Sequence, residues 1–568
     1  MKTMTENNME LQTPAPRGLS EECISILERQ GCSAENWETI LFSPETDLSK
    51  IRNVHFGENV TLCKGAVVRN VPGVIANCRV GENALIENVD RIDFDPEADC
   101  GVGINICALD ETGSRPVIAY PGLSAQAATM MARVPKWVEN NLRPSIHEFL
   151  DTKHVAPEIG DNAVVRDCGR LHNVSVGAGA KVEGARSLVN GAIINNACSG
   201  RPFTYVGNGV DAENFIIEDG KVDAGAILRN CYVGQGAEVE KGFSAHDSLF
   251  FSNCSFENGE ACALLAGPYS VSMHKGTLMI GCQTAFMNAG SSTNQSNHMY
   301  KLGPVHWGVL ERGVKTSSGA YIMFGAKIGA FSMIMGAHKT HPDSSEFPFS
   351  YLFGDERGAT VVVPGAMLRS CGLMRDEQKW PTRDRRLKRK LPLIDRITFN
   401  VLNPFTVDSM LKAIDTITTL LARPADDDLY LRYKGMKFTR AALERAKTLY
   451  TAAIFKYLSM ALPDAVIPPS DAEPAEDWLD VGGQIMPREY LDRALACTSL
   501  YDVERIFDEA FRDYNELQNR WIGRRFGKWW RERENRISVG AEQFDELVAD
   551  DRKEYLENLA RETQMLDL

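Results

Sequence analysis

The sequence predicts a mainly β protein, a three-sided parallel solenoid with an inserted arm and a carboxy-terminal α-helical domain, and two observations carry that prediction. Large apolar residues fall six apart at Phe56, Leu62, Val68, Val74, Val80 and Ile86, which is neither the helical period of about 3.6 nor the strand period of 2. Beyond Trp380 the period turns helical, with stripes such as Met410, Leu411, Ile414, Ile417, Leu420 and Leu421.

Each hexad makes one wall of a triangular coil. Its branched residue points inwards, and a compact one four places later (Val60, Ala66, Pro72, Cys78, Ala84) fits near the corner. Glycine or asparagine accepts the turn dihedrals. The pattern returns in Ile159-Gly-Asp-Asn-Ala163, Val176-Gly-Ala-Gly-Ala180, Val222-Asp-Ala-Gly-Ala226 and Val233-Gly-Gln-Gly-Ala237, and again along Leu310, Thr316, Ile322, Ile328 and Ile334. The solenoid is therefore placed at 51–378. The 14 cysteines are scattered without CxxC spacing and read as reduced thiols; Cys78, Cys231 and Cys254 each lie two residues before an inward apolar position.

Residues 1–50 read as a polar tail and a short helix capped by Ser20, covering the open edge of the first coil. Between about 100 and 155 the rhythm stops, and two strands around a Glu-Thr-Gly turn followed by a helix are expected to project from the prism. Such an arm either clasps a neighbouring subunit or roofs a groove, and the clasp is the preferred expectation. Residues 379–568 form the helical domain, with a proline-rich loop at 462–477. The basic run KWPTRDRRLKRK, from Lys379 to Lys390, is read as neutralising acidic neighbours beside the last coil, and the run from Trp521 to Arg536 as a helix docking its tryptophans on the prism.

A formal charge of -14 disfavours nucleic acid and anionic membranes as partners. No apolar leader core opens the chain and no run of about 18 apolar residues occurs, so the expected compartment is the cytoplasm.

Chemistry is sought in the polar stretch 291–346, which holds four of the ten histidines: His298, His306, His338 and His341. The Leu310 frame, extended back one hexad, puts His306 two residues past an inward position and hence on an outer face. An imidazole there suits removal of a proton from a hydroxyl or amine attacking a thioester. His306 is the first candidate base and His298 the second; Asn294 and Asn297 are candidates to stabilise an oxyanion, and Lys301, Arg312 and Lys315 to hold phosphates. His274, one or two coils earlier, is a candidate for the same groove. A competing reading brings His306, His338 and His341 together on zinc or iron. The plain reading is that these imidazoles hydrogen-bond along the stack.

The hexads resemble the left-handed β-helix, hexapeptide-repeat superfamily over about 51–370. That resemblance implies a single-stranded left-handed parallel β-helix, a homotrimer with clefts between prisms, an acyl-CoA or acetyl-CoA donor lying along the coils, and one histidine as base. The order of ILERQGCSAENW cap, interrupted prism, NQSNHMYKLGP segment and helical tail is similar to a bacterial family labelled as related to UDP-N-acetylglucosamine pyrophosphorylase. Pyrophosphorylases carry an amino-terminal nucleotide-binding domain whose glycine-rich loop cradles phosphates. The 50 residues ahead of the hexads hold no such loop, which argues against nucleotidyl transfer. The resulting expectation is a homotrimeric transferase that moves an acyl or acetyl group to a sugar or nucleotide-sugar acceptor. The alternatives are a metal-dependent lyase or hydratase of the γ-carbonic-anhydrase type and a non-catalytic trimeric assembly protein.

Overall fold

The computed structural model describes residues 15–196, 204–296, 307–424, 429–461 and 477–566. Side chains one coil apart stack in register inside the prism: Phe42, Leu62, Val80, Ile159 and Val176 form one parallel-paired column, and every member is sealed from solvent. Another runs through Leu188, Ala212, Leu228, Ala245, Ala261 and Met279. Alternation of large and small members fills the narrow interior, and each fully buried Val, Leu or Ile contributes roughly 1.5–3 kcal/mol. Leu310, Thr316, Ile322, Ile328 and Ile334 are all buried, as their spacing predicts. The first run needs a correction. Phe56 stacks under Ile75 rather than Val74, because the register shifts between the strands Ile51–Phe56 and Val67–Ala76. Pro72, expected as a compact corner residue, is exposed on the bulge, where its missing N–H costs the ladder nothing.

Corners of the prism are turned by residues in the left-handed region, and asparagine occupies many of them: Asn53, Asn70 and Asn88 all have φ between 53° and 55°. Asparagine tolerates that region better than other residues with a Cβ. Its amide also continues the stack. Asn53 Nδ2 donates to Asn70 Oδ1 (3.0 Å), Asn70 to Asn88 (2.8 Å), and Asn88 to Asp167 (2.8 Å). The last step joins residues 79 apart in sequence, so the ladder passes the inserted arm without a break. A second ladder links Asn190, Asn214, Asn230 and Asp247.

The arm does form a hairpin, Asn105–Cys107 against Pro116–Ile118, followed by the helix Ala125–Arg133. It does not project. All of that helix except Arg133 is buried between the prism and the carboxy-terminal domain. The Tyr232 hydroxyl of the prism lies 3.2 Å from Leu123 O, while Gln126 Nε2 donates to Gly482 O (2.9 Å) and Trp137 Nε1 to Cys497 O (3.2 Å) on the other side. Asp395 joins all three layers: its carboxylate accepts Ala125 N–H from the arm (2.7 Å) and Ser252 N–H from the prism (2.9 Å), and its own carbonyl accepts Arg386 Nη1 (2.8 Å). Within the chain, the arm makes a roof.

The amino-terminal helix Glu21–Arg29 is capped by Ser20, whose Oγ accepts Cys23 N–H (3.3 Å). At the far end, helix begins at Cys371. Arg385 docks its guanidinium on Gly236 O (2.6 Å) and on the Glu238 carboxylate (2.9 Å), so this part of the basic run meets an acidic wall. Trp521 packs edge-on to Tyr457 and Trp478 inside the helical domain instead of against the prism. No helix among the described residues is long and apolar enough to cross a membrane.

Asn70→Ala removes two ladder bonds and leaves an alanine at φ 55°. It is expected to lower the unfolding free energy in urea by roughly 1–2 kcal/mol, and Asn70→Gly, free of the backbone strain, by less.

Candidate functional site

The residues singled out in the polar stretch do not gather. His298, His306, Asn297 and Lys301 lie outside the described residues. Asn294 is on an outward strand position between Leu278 and Tyr321, with its Oδ1 buried and without a hydrogen-bond partner among the described residues. Lys315 pairs with Asp376 of the helical domain, and His274 is exposed on a turn. Arg312, a candidate to hold phosphates, is only 1% exposed and lies under the carboxy-terminal domain, its Nη2 donating to Thr398 O.

The two histidines proposed as metal ligands with His306 occupy different environments. His338 stacks over Ile322, sixteen residues earlier instead of eighteen, and so takes an inward position. Its Nδ1 lies 2.9 Å from Thr360 Oγ1 and its Nε2 3.2 Å from Met335 O. The carbonyl needs a proton on Nε2, which leaves Nδ1 to accept from the hydroxyl, and no lone pair remains for a metal. Burial pushes its pKa down to about 4, so it is neutral. His341 is exposed and bonds through Nδ1 to Phe324 O. Among the described residues no three histidine, cysteine or acidic side chains gather as a ligand set.

Titratable groups and open space meet elsewhere, where the arm roofs the prism. The strand Asp211–Glu218 runs Phe215, Ile216, Ile217 along the wall, and Glu218 and Asp219 follow at its end, both buried. Gly122 of the arm, at φ 86°, brings its N–H to Glu218 Oε2 at 2.7 Å, and the buried Tyr232 hydroxyl reaches the same oxygen at 2.9 Å. Oε1 accepts Asn196 Nδ2 at 3.1 Å. With two donors on Oε2, the proton of the neutral acid belongs on Oε1. Asp219 accepts Asn196 N–H (2.7 Å) and Gln235 Nε2 (3.2 Å). Gln235 in turn holds the strap that follows the helix Arg385–Lys388, donating to Pro392 O (2.9 Å) and accepting Ile394 N–H (3.1 Å).

These contacts border an open cleft of about 560 Å³, walled by Glu218, Ser175 and Asn195 of the prism, Lys153 and His154 at the end of the arm, and Pro392 of the strap. Burial is the main force on Glu218; the neighbouring Asp219 adds to it, and the three hydrogen bonds oppose it, leaving the pKa pushed up to about 7. Asp219 is likewise raised by burial. A carboxyl half ionised near neutrality can both take and return a proton, which is the property asked of a general acid–base group. Lys153, whose ammonium lies over the rings of Phe149 (5.5 Å) and Tyr120 (5.9 Å), brings positive charge to the rim. Sequence reasoning missed this site. The available signal was an acidic pair placed directly after three apolar residues, Phe215-Ile216-Ile217-Glu218-Asp219, where an inward pattern runs into charge.

The family model described as a domain of unknown function, DUF4954, matches residues 57–421. The chain belongs to that family. Its span in this DUF4954 member takes in most of the prism, the arm and the strap, hence every wall of the Glu218 cleft. No curated protein matches the chain. Among solved structures, an Arabidopsis UDP-N-acetylglucosamine acyltransferase is similar over 54% of this chain and 93% of its own, at 13% identity and a TM-score of 0.17. No residue role is transferred from it.

Glu218→Gln provides a check on the buried carboxyl. A raised folded-state pKa means stability is fully present below the unfolded value near 4.5 and is lost as pH rises to about 7. The wild type should therefore lose on the order of 3 kcal/mol relative to Glu218→Gln between pH 4.5 and 8. His338 acts in the opposite sense, since the unfolded chain takes up its proton first as pH falls, but it is common to both proteins and cancels. Paired urea titrations across this range read the difference, and equal pH profiles would remove Glu218 as a near-neutral group.

Proposed function

We propose that the chain is a transferase that moves an acyl or acetyl group from a thioester to a hydroxyl or amine of a sugar or nucleotide-sugar acceptor, with Glu218 as general base. The observation that carries this reading is a buried carboxyl with its pKa near 7 on the wall of a cleft of about 560 Å³. That volume is in the range of small-molecule sites, and the lining mixes amides, hydroxyls and aliphatic carbon as a polyhydroxylated ligand requires. Proton transfer, not an imidazole as such, is what the step demands. The acceptor O–H or N–H gives its proton to Glu218 Oε1, the freed lone pair adds to the thioester carbonyl, and the tetrahedral adduct expels the thiolate, which leaves protonated by Glu218. Tyr232 and Gly122 hold the carboxyl in place while its charge changes.

This reading puts the base on a carboxylate in place of His306 or His298, and needs only one chain to form the cleft. Acetyl-CoA or a UDP-sugar should raise the melting temperature of the full chain, and with both present Glu218→Gln should reduce turnover at least a hundredfold while leaving the ligand-induced shift in place. A chain that ignores both ligand classes, or a Glu218→Gln variant with undiminished turnover, defeats the proposal.

A further inference from the structure

Arg312 faces a second cavity of about 170 Å³ between the prism, the arm and the hairpin Trp478–Val481 with Gln484–Pro487. Its guanidinium is packed over the Phe286 ring at 4.9 Å and is as buried as any apolar core group. Nη2 is used by Thr398 O. Asp480 approaches Nε only to 3.5 Å, while its Oδ1 accepts Gly483 N–H at 2.8 Å. Nη1 has no hydrogen-bond partner among the described residues. A buried cation with an unused donor is costly unless something else meets it.

The same cavity is lined by Arg133, at the exposed end of the arm helix, which donates to Gln283 Oε1 at 2.9 Å. Arg133 also lies on the Trp307 ring at 4.9 Å, with the Arg115 guanidinium on the same ring at 4.8 Å. Opposing them are Asp480 and Glu311. The Glu311 carboxyl accepts Ala330 N–H at 3.1 Å, and burial first, then Asp480, pushes its pKa up to about 8, which keeps it protonated at neutral pH and makes it a donor. Around the space the guanidiniums of Arg312 and Arg133 thus face two buried acids, Asp480 and Glu311, and Nη1 of Arg312 is met by neither.

We propose that this cavity binds a small oxyanion, a phosphate or carboxylate group, between the unpartnered donor of Arg312 and the guanidinium of Arg133. Planar guanidiniums match both groups through paired hydrogen bonds, and a volume well below the usual 300–1,000 Å³ of whole-ligand pockets suits the charged group alone. The site is separate in its residues from the Glu218 cleft and does not depend on the reaction proposed there.

The test titrates the full chain at pH 7 with sodium phosphate and, separately, sodium acetate, with sodium chloride holding the ionic strength constant, and reads both melting temperature and heat of binding. At least one anion is expected to raise the melting temperature in a saturable way. Arg133→Gln, at the mouth, should weaken that binding at least tenfold while its anion-free melting temperature stays at the wild-type value; Arg312→Lys, which keeps the charge and loses the fork, should weaken it as well. A response to phosphate alone assigns a phosphate group, to acetate alone a carboxylate, and to both an unselective oxyanion site. Absence of saturable binding by either anion, or binding unchanged in both variants, overturns the proposal.

Discussion

A flat wall in this solenoid can face solvent only because the corner after it accepts a left-handed backbone, and the asparagine ladders are where that condition is met. Asn53, Asn70, Asn88 and Asp167 share one conformation and one line of side-chain hydrogen bonds. The corner holds the turn and its amide holds the next coil, so local dihedral and long-range register are enforced by one residue type. Everything mounted on the prism, including the arm spliced between Asp93 and Glu158, inherits its position from that register.

The prism, the arm and the carboxy-terminal domain share one buried apolar core and are also joined by buried polar contacts. Asp395 connects arm, prism and strap, Gln235 fixes the strap to the wall, and Arg396 pairs with Glu504 and Asp508 of the helical domain. Such contacts are directional, and they leave gaps where side chains cannot fill space. Both cavities lie along this seam. Their carboxyls, Glu218 and Glu311, are displaced towards neutrality for the same reason: burial disfavours the anion, and a neighbouring aspartate, Asp219 or Asp480, adds to it.

Legibility in the sequence follows the range of the interactions. The inward frame from Leu310 to Ile334, the Ser20 cap and the hairpin of the arm are local patterns, set by spacing or by a few neighbouring residues, and they were readable. Val74 failed because a bulge, which adds a residue without changing composition, moved Ile75 into the interior. His338 failed for a related reason: a coil of sixteen residues in place of eighteen turned an expected outward imidazole inwards. Arg312 was named as a candidate to hold phosphates, but whether its charge met water or another domain was not a property of its neighbours in sequence.

By itself the amino-acid order determined a parallel solenoid with an interruption and a helical end, since periodicity dictates which side chains can be buried together. The tertiary structure alone decided that the arm folds down as a roof, that Glu218 lies under it, and that the chain around Pro392 walls the cleft, because those outcomes rest on contacts between residues 96 or more positions apart. Gly122 and Glu218 have no pattern in common until the fold brings an N–H within 2.7 Å of a carboxylate.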